Sequence, residues 1–198
     1  LGEAPGSAMP RLWLGDFRRA TIEALEVEID GGRLGFHCIT HVALAADGRT
    51  LLYVSEAGRR LMRFDLEARR QLPDLLRFDK DDPRGTYGPA ALRDGRVLLT
   101  TGGGALLLDV EGRELRSFEF GSPRGWSRLT LSLDQRRFHV GNFVEGRLET
   151  RDTETGALHH VPVRRTGRGC EGGGNCDHVA ALPAKCFEQL GKAQVIAH

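Results

Sequence analysis

Three thiols and one imidazole lie close together near the end of the sequence and could bind a metal ion. Cys170, Cys176, His178 and Cys186 fall within 17 residues, and thiolate sulfur and imidazole nitrogen are ligands of structural zinc sites. Their spacing, C-x5-C-x-H-x7-C, differs from the usual zinc and haem-attachment patterns. A Cys170–Cys176 disulfide, formed in an oxidising compartment, is an alternative. The spacing favours free thiols in a loose tail over both zinc and a disulfide.

The composition of the chain excludes several classes of protein. Its 198 residues carry 28 Lys and Arg against 27 Asp and Glu, which gives a net charge of +1. A chain this close to neutrality lacks the positive field that gathers nucleic acid or anionic membranes. No apolar run approaches the ~18 residues that a membrane span needs. We therefore expect a globular protein with no nucleic-acid partner and no membrane insertion, and the sequence leaves its compartment open.

A repeated strand pattern shows which elements would position a site. An apolar strand, a tight turn and a second apolar strand recur around Asp47, Asp94 and Asp134, which are spaced 47 and 40 residues apart. Asp-Gly between apolar runs is a strong hairpin signal, because glycine tolerates the positive φ of the turn. An acidic residue near the end of the following strand recurs at intervals of 39, 44 and 43 residues, at Glu26, Asp65, Asp109 and Asp152.

The repeat predicts the fold class and the domain organisation. A unit near 42 residues with four short strands is typical of a β-propeller blade, and a generic β-sandwich is the alternative. We expect an all-β protein with about four four-stranded blades at residues 11–165. Residues 1–10 form an N-terminal extension, and residues 166–198 form a Gly- and Cys-containing tail or a divergent partial blade. Equivalent core positions should be held by Trp13, Tyr53, Leu99 and either Phe138 or Val140.

Two segments of the chain carry a resemblance to known proteins. ADGRTLLYVSEAGRRLMRFDLEAR at 46–69 and FHVGNFVEGRLETRDTETGAL at 138–158 resemble blades of the NHL/YVTN and gluconolactonase-like β-propeller superfamily. The resemblance spans about residues 11–165. Because members usually have more than four blades, the resemblance favours an incomplete or open arc of a larger propeller. The alternative is a small four-bladed ring, closed by the C-terminal segment pairing beside strand 12–17. The resemblance is specific for the fold and weak for function, since such blades support many activities.

The resemblance also indicates where a site would lie. Gluconolactonase-like enzymes place metal-binding Asn or Asp residues seven positions before the turn aspartate, and this chain has Thr40, Tyr87 and Ser127 there. Three hydroxyls do not supply the charged oxygen ligands that calcium prefers. This departure argues against a metal-dependent lactonase, so no cofactor is expected, with calcium or zinc as the alternative.

A second set of polar residues lies at the ends of the second strands of the blades. Equivalent positions in successive blades fall on one ring, so these side chains are candidates for the same channel face. They are Asp16, Glu56 and Asn142.

Two functions from different classes follow. The first is a non-catalytic binding or interaction module that takes a protein or small molecule at its channel face. The alternative is a gluconolactonase-like hydrolase of lactones or esters, with a divalent metal in the channel. Open edges would also allow self-association.

Overall fold

The computed structural model describes residues 11–16, 19–30, 39–55, 58–159 and 195–196. Within them the chain is all-β, and no helix occurs that could cross a membrane. The strands are β1 Arg11–Asp16, β2 Thr21–Glu26, β3 His41–Leu44, β4 Thr50–Val54, β5 Arg60–Asp65, β6 Arg70–Arg77, β7 Pro89–Ala91, β8 Val97–Thr100, β9 Gly104–Leu108, β10 Glu114–Glu119, β11 Trp126–Leu131, β12 Arg137–Asn142, β13 Arg147–Asp152, β14 Leu158–His159 and β15 Val195–Ile196.

These strands form four antiparallel sheets, which we call blades 1 to 4. Blade 1 has the strand order β15-β1-β2, and the other blades have the orders β3-β4-β5-β6, β7-β8-β9-β10 and β11-β12-β13-β14. The inner strand β7 lies beside both β3 and β11, so blades 2 to 4 are arranged around a common axis. The sheets do not close into a ring within the described residues. The predicted fold class, an open β-propeller of about four blades, is confirmed.

The repeated aspartates hold the turns of the blades. The Oδ1 atom of Asp47 accepts hydrogen bonds from the main-chain nitrogens of Arg49 at 2.9 Å and Thr50 at 2.8 Å. Asp94 and Asp134 accept the equivalent bond two residues on, at 3.1 Å in both turns. An aspartate side chain that bonds its own turn closes a hairpin locally. The chain therefore builds each blade from contacts that are near in sequence.

Three apolar clusters hold the blades against one another, one at each interface. Leu12 and Leu25 of blade 1 pack with Tyr53 and Met62 of blade 2. The second cluster joins blades 2 and 3 and includes Leu52, Leu61, Leu99 and Leu106. The third joins blades 3 and 4 and includes Leu98, Phe120, Trp126 and Val140. Because blades 2 and 3 are covered on both faces, their central strands carry apolar runs instead of a strict alternation.

Candidate functional site at the channel mouth

The candidate site lies at one end of the propeller axis, which we call the channel mouth. Here the inner strands β3, β7 and β11 begin and the second strands β4, β8 and β12 end. A single buried hydroxyl connects two of these strands. Thr100 Oγ1 donates a hydrogen bond to the Ser127 carbonyl at 2.6 Å and accepts one from the Gly88 nitrogen at 2.8 Å. The mouth is therefore a fixed surface between blades 3 and 4.

The structure places the three predicted hydroxyl residues at this mouth, one in each of blades 2 to 4. Thr40 is half-buried, and its hydroxyl lies 3.4 Å from the Val54 carbonyl oxygen. Tyr87 packs its ring over Gly102, whose φ is +84° and whose added Cβ would come within 2.8 Å of the ring. Ser127 is buried. Only a residue without a side chain fits beneath the tyrosine ring at Gly102.

The residues predicted at the ends of the second strands have different surroundings in the structure. Asn142 is buried, and its Oδ1 accepts hydrogen bonds from the nitrogens of Val144 and Glu145 at 3.0 Å each. Its Nδ2 donates to the Arg124 carbonyl at 3.0 Å. The amide of Asn142 thus supports the turn after β12. Asp16 lies at the end of β1, where its Oδ1 accepts a hydrogen bond from the Arg19 nitrogen at 3.1 Å.

Two groups of predicted site residues lie outside the described residues. They are Glu56 and the set Cys170, Cys176, His178 and Cys186.

The mouth also holds two residues that the sequence analysis did not select, His41 and Arg128. Each directly follows one of the predicted hydroxyl residues, Thr40 and Ser127. Burial lowers the pKa of His41 from 6.5, and the positive charge of Arg128 lowers it further. A hydrogen bond with the main chain of Tyr87 acts in the opposite direction. The His41 imidazole is therefore neutral at pH 7 and lies within the field of a cation from blade 4.

His41 and Arg128 each have a polar group that lacks a partner among the described residues. The Nδ1 atom of His41 is buried and has no hydrogen-bond partner in the described part of the chain. Arg128 is exposed and forms no ion pair within those residues. Other arginines make such pairs, for example Arg49 with Asp65 at 2.7 Å and Arg60 with Asp74 at 2.8 Å. Among the described residues, nothing neutralises the positive charge of Arg128 at the mouth.

The donor atoms that the described residues bring to the mouth do not fit a divalent metal ion. They are hydroxyls, an amide whose oxygen already accepts two hydrogen bonds, and a single imidazole. Calcium takes several oxygen ligands, mostly charged, and zinc takes combinations of thiolate, imidazole and carboxylate. The described residues contain no group of three or more His, Cys, Asp and Glu side chains that could hold a metal.

Comparison with known proteins supports the fold. No family model and no curated protein matches the chain. Among solved structures it is similar to a gluconolactonase from Xanthomonas campestris, with a TM-score of 0.54 and 16% identity over 71% of this chain and 44% of that one. It is also similar to the hydrazine synthase of Kuenenia stuttgartiensis, with a TM-score of 0.51 and 15% identity over 67% of this chain and 38% of that one.

Blade architecture and comparisons together define the class of the protein. The chain has a β-propeller fold, and the gluconolactonase shares that fold, as the resemblance in the sequence implied. The chain spans less than half the length of both solved structures. At this level of identity the similarity concerns the fold, which hosts many unrelated activities.

Proposed function

We propose that this chain is the ligand-binding part of a β-propeller, and that it takes a small polar molecule with an anionic group at the channel mouth. The observation that carries the proposal is the exposed Arg128 at the mouth, which has no ion-pair partner among the described residues and whose charge acts on the His41 imidazole. A guanidinium presents several N–H donors in a fixed plane that matches a carboxylate. The hydroxyls of Thr40 and Tyr87 border the same mouth and would meet the polar remainder of the ligand.

Electrostatic considerations support an anion over a neutral ligand. The positive charge of Arg128 repels His41 whenever His41 is protonated, and this repulsion lowers the pKa of His41. A bound anion would offset the charge of Arg128 and favour the imidazolium. Binding should therefore raise the pKa of His41, and the shift reports occupancy of the mouth itself.

Calorimetric titration with D-gluconate tests the proposal, with the uncharged polyol D-sorbitol as the matched ligand. We expect binding of gluconate and little of sorbitol. Replacing Arg128 with Gln should weaken gluconate binding about tenfold or more, since a charged hydrogen bond contributes about 1.5–3 kcal/mol. The control is Arg116→Gln, an exposed arginine of the outermost strand β10, which should leave the affinity unchanged. Equal affinities of the two variants would disprove the assignment.

Hydrolysis of a lactone is the second candidate function, favoured by the similarity to the gluconolactonase. A neutral imidazole is the form that a general base requires. In this reaction His41 would accept a proton as a water oxygen attacks the lactone carbonyl. The ring C–O bond then breaks and the ring oxygen takes up the proton, which yields the hydroxy acid.

Titration of the acid released from D-glucono-1,5-lactone, above the spontaneous rate, measures this activity. His41→Gln should lower the rate while gluconate still binds. If wild-type protein binds gluconate without releasing acid from the lactone, binding is its function and hydrolysis is refuted.

A further inference from the structure

Each blade has two faces. We call the face towards the blade before it in the sequence the preceding face, and the opposite face the following face. In the described stack, the preceding face of blade 1 and the following face of blade 4 are uncovered. Residues paired across antiparallel strands lie on the same face, so the register assigns every side chain to one of the two. At each of the three interfaces, the following face of one blade packs on the preceding face of the next.

The uncovered preceding face belongs to blade 1 and is apolar. Tyr53, Leu99 and Val140 occupy its equivalent position in blades 2 to 4, and all three are fully buried. Trp13 holds that position in blade 1 and is 39% exposed. On the neighbouring strand, Ile22 lies on the same face and is 74% exposed. A tryptophan and an isoleucine are therefore exposed where the other blades are covered.

The uncovered following face belongs to blade 4 and is mixed in character. Leu12, Leu52 and Leu98 hold one equivalent position in blades 1 to 3, and all are buried. Blade 4 has His139 there, whose Nδ1 lies 2.8 Å from Thr150 Oγ1. Leu148 lies on the same face and is 48% exposed, opposite Gly141, and the exposed Arg128 pairs with Gly141 from the other side.

We propose that a second copy of this chain covers both faces. The following face of blade 4 in one copy packs on the preceding face of blade 1 in the other, and the same contact occurs twice around a twofold axis. Two four-bladed arcs then close one eight-bladed ring, which is within the range of known propellers. The contact continues the interface that already recurs three times along the chain.

The side chains of the two faces suit one another. Leu148 offers an apolar surface to Trp13 and Ile22. The existing interface between blades 3 and 4 also packs apolar side chains, and there Arg151 of blade 4 lies 4.3 Å from the centre of the Phe120 ring of blade 3. In the closed ring the second copy completes the wall of the channel.

Sedimentation velocity of the full chain over a range of concentrations tests the proposal. We expect a dimer for the wild type. Ile22→Glu and Leu148→Glu should each raise the dimer dissociation constant more than tenfold, because a charge would be buried at both contacts. Leu115→Glu is the control. Leu115 is 49% exposed on the outermost strand β10 of blade 3, and therefore belongs to neither of the two uncovered faces, which lie on blades 1 and 4. Cooperative urea unfolding of each variant would show that it is folded, since loss of the dimer itself lowers the midpoint.

Mixing the two disruptive variants makes the test specific. The Ile22→Glu copy keeps an intact blade 4 face and the Leu148→Glu copy keeps an intact blade 1 face, so the mixture should recover a heterodimer through one contact. A monomeric wild type overturns the proposal. So does a dimer that survives Leu148→Glu, because blade 1 would then pair with blade 1. Growth into long chains would overturn the closed ring.

Discussion

Replacing Thr100 with Val tests how the channel mouth is held together. Valine keeps the shape of threonine and removes its hydroxyl, which is fully buried between blades 3 and 4. The change leaves the Ser127 carbonyl and the Gly88 nitrogen without bonds that now measure 2.6 and 2.8 Å. A buried polar group without a partner costs about 1–3 kcal/mol. For two such groups we expect a loss of about 3 kcal/mol in the free energy of unfolding.

Urea denaturation followed by circular dichroism measures this loss. With a slope of about 2–3 kcal/mol per molar urea, the midpoint should fall by about 1 M. Thr100→Ser is the matched control, because it keeps both hydrogen bonds and removes one methyl group, at a cost of about 1 kcal/mol. If Thr100→Val unfolds no more easily than Thr100→Ser, the hydroxyl does not hold the mouth and the reasoning is wrong.

Three further predictions concern the core, the turns and acid stability. Leu99→Asp should abolish cooperative unfolding in urea, because it buries an unpaired charge at a fully covered position; cooperative folding of this variant would contradict the blade assignment. Gly112→Ala should destabilise the chain far more than Gly48→Ala in the same assay, since both have positive φ but only a Cβ at Gly112 would overlap the Leu75 carbonyl. Hydrogen bonds from Arg49 hold the pKa of Asp65 far below its usual value, so its stabilising contribution is present at neutral pH and is lost as the pH falls below about 4. Urea midpoints from pH 7 to pH 3 should therefore fall less for Asp65→Asn than for the wild type.

The fold could be predicted from the sequence because its signals are local. The turn at Asp47 is closed by bonds to residues two and three positions away, so the aspartate and glycine reveal the turn without any knowledge of the rest. Repetition of that turn then gave the blades. Trp13 holds the strand position equivalent to Tyr53 and Leu99, but its predicted place in the core is wrong, because it is 39% exposed. Burial at this position depends on which blade lies in front of it, and periodicity carries no such information.

The candidate site was less predictable because it depends on contacts between blades. The spacing to the turn aspartate predicted Thr40 and Ser127 as site residues. Each directly precedes, in the sequence, a residue that the structure adds to the site, His41 or Arg128. No sequence pattern links His41 with Arg128, since they belong to inner strands on either side of β7. Their electrostatic coupling exists only once three blades have stacked. The side-chain bonds of Asn142 likewise depend on how the turn after β12 meets the loop at Arg124.

The pairing of β1 with β15 has a consequence for the order in which the molecule is assembled. Blades 2 to 4 each pair only strands that follow one another in the chain, so each can close soon after it leaves the ribosome. The inner edge of blade 1 pairs Trp13 with Ile196, and that partner is made after every other described strand. Of the four described blades, the first to be synthesised is therefore the last to be completed. Until then the inner edge of blade 1 is unpaired and can pair with a strand of another nascent chain. Misassembly would therefore begin when chains are released early or are crowded together.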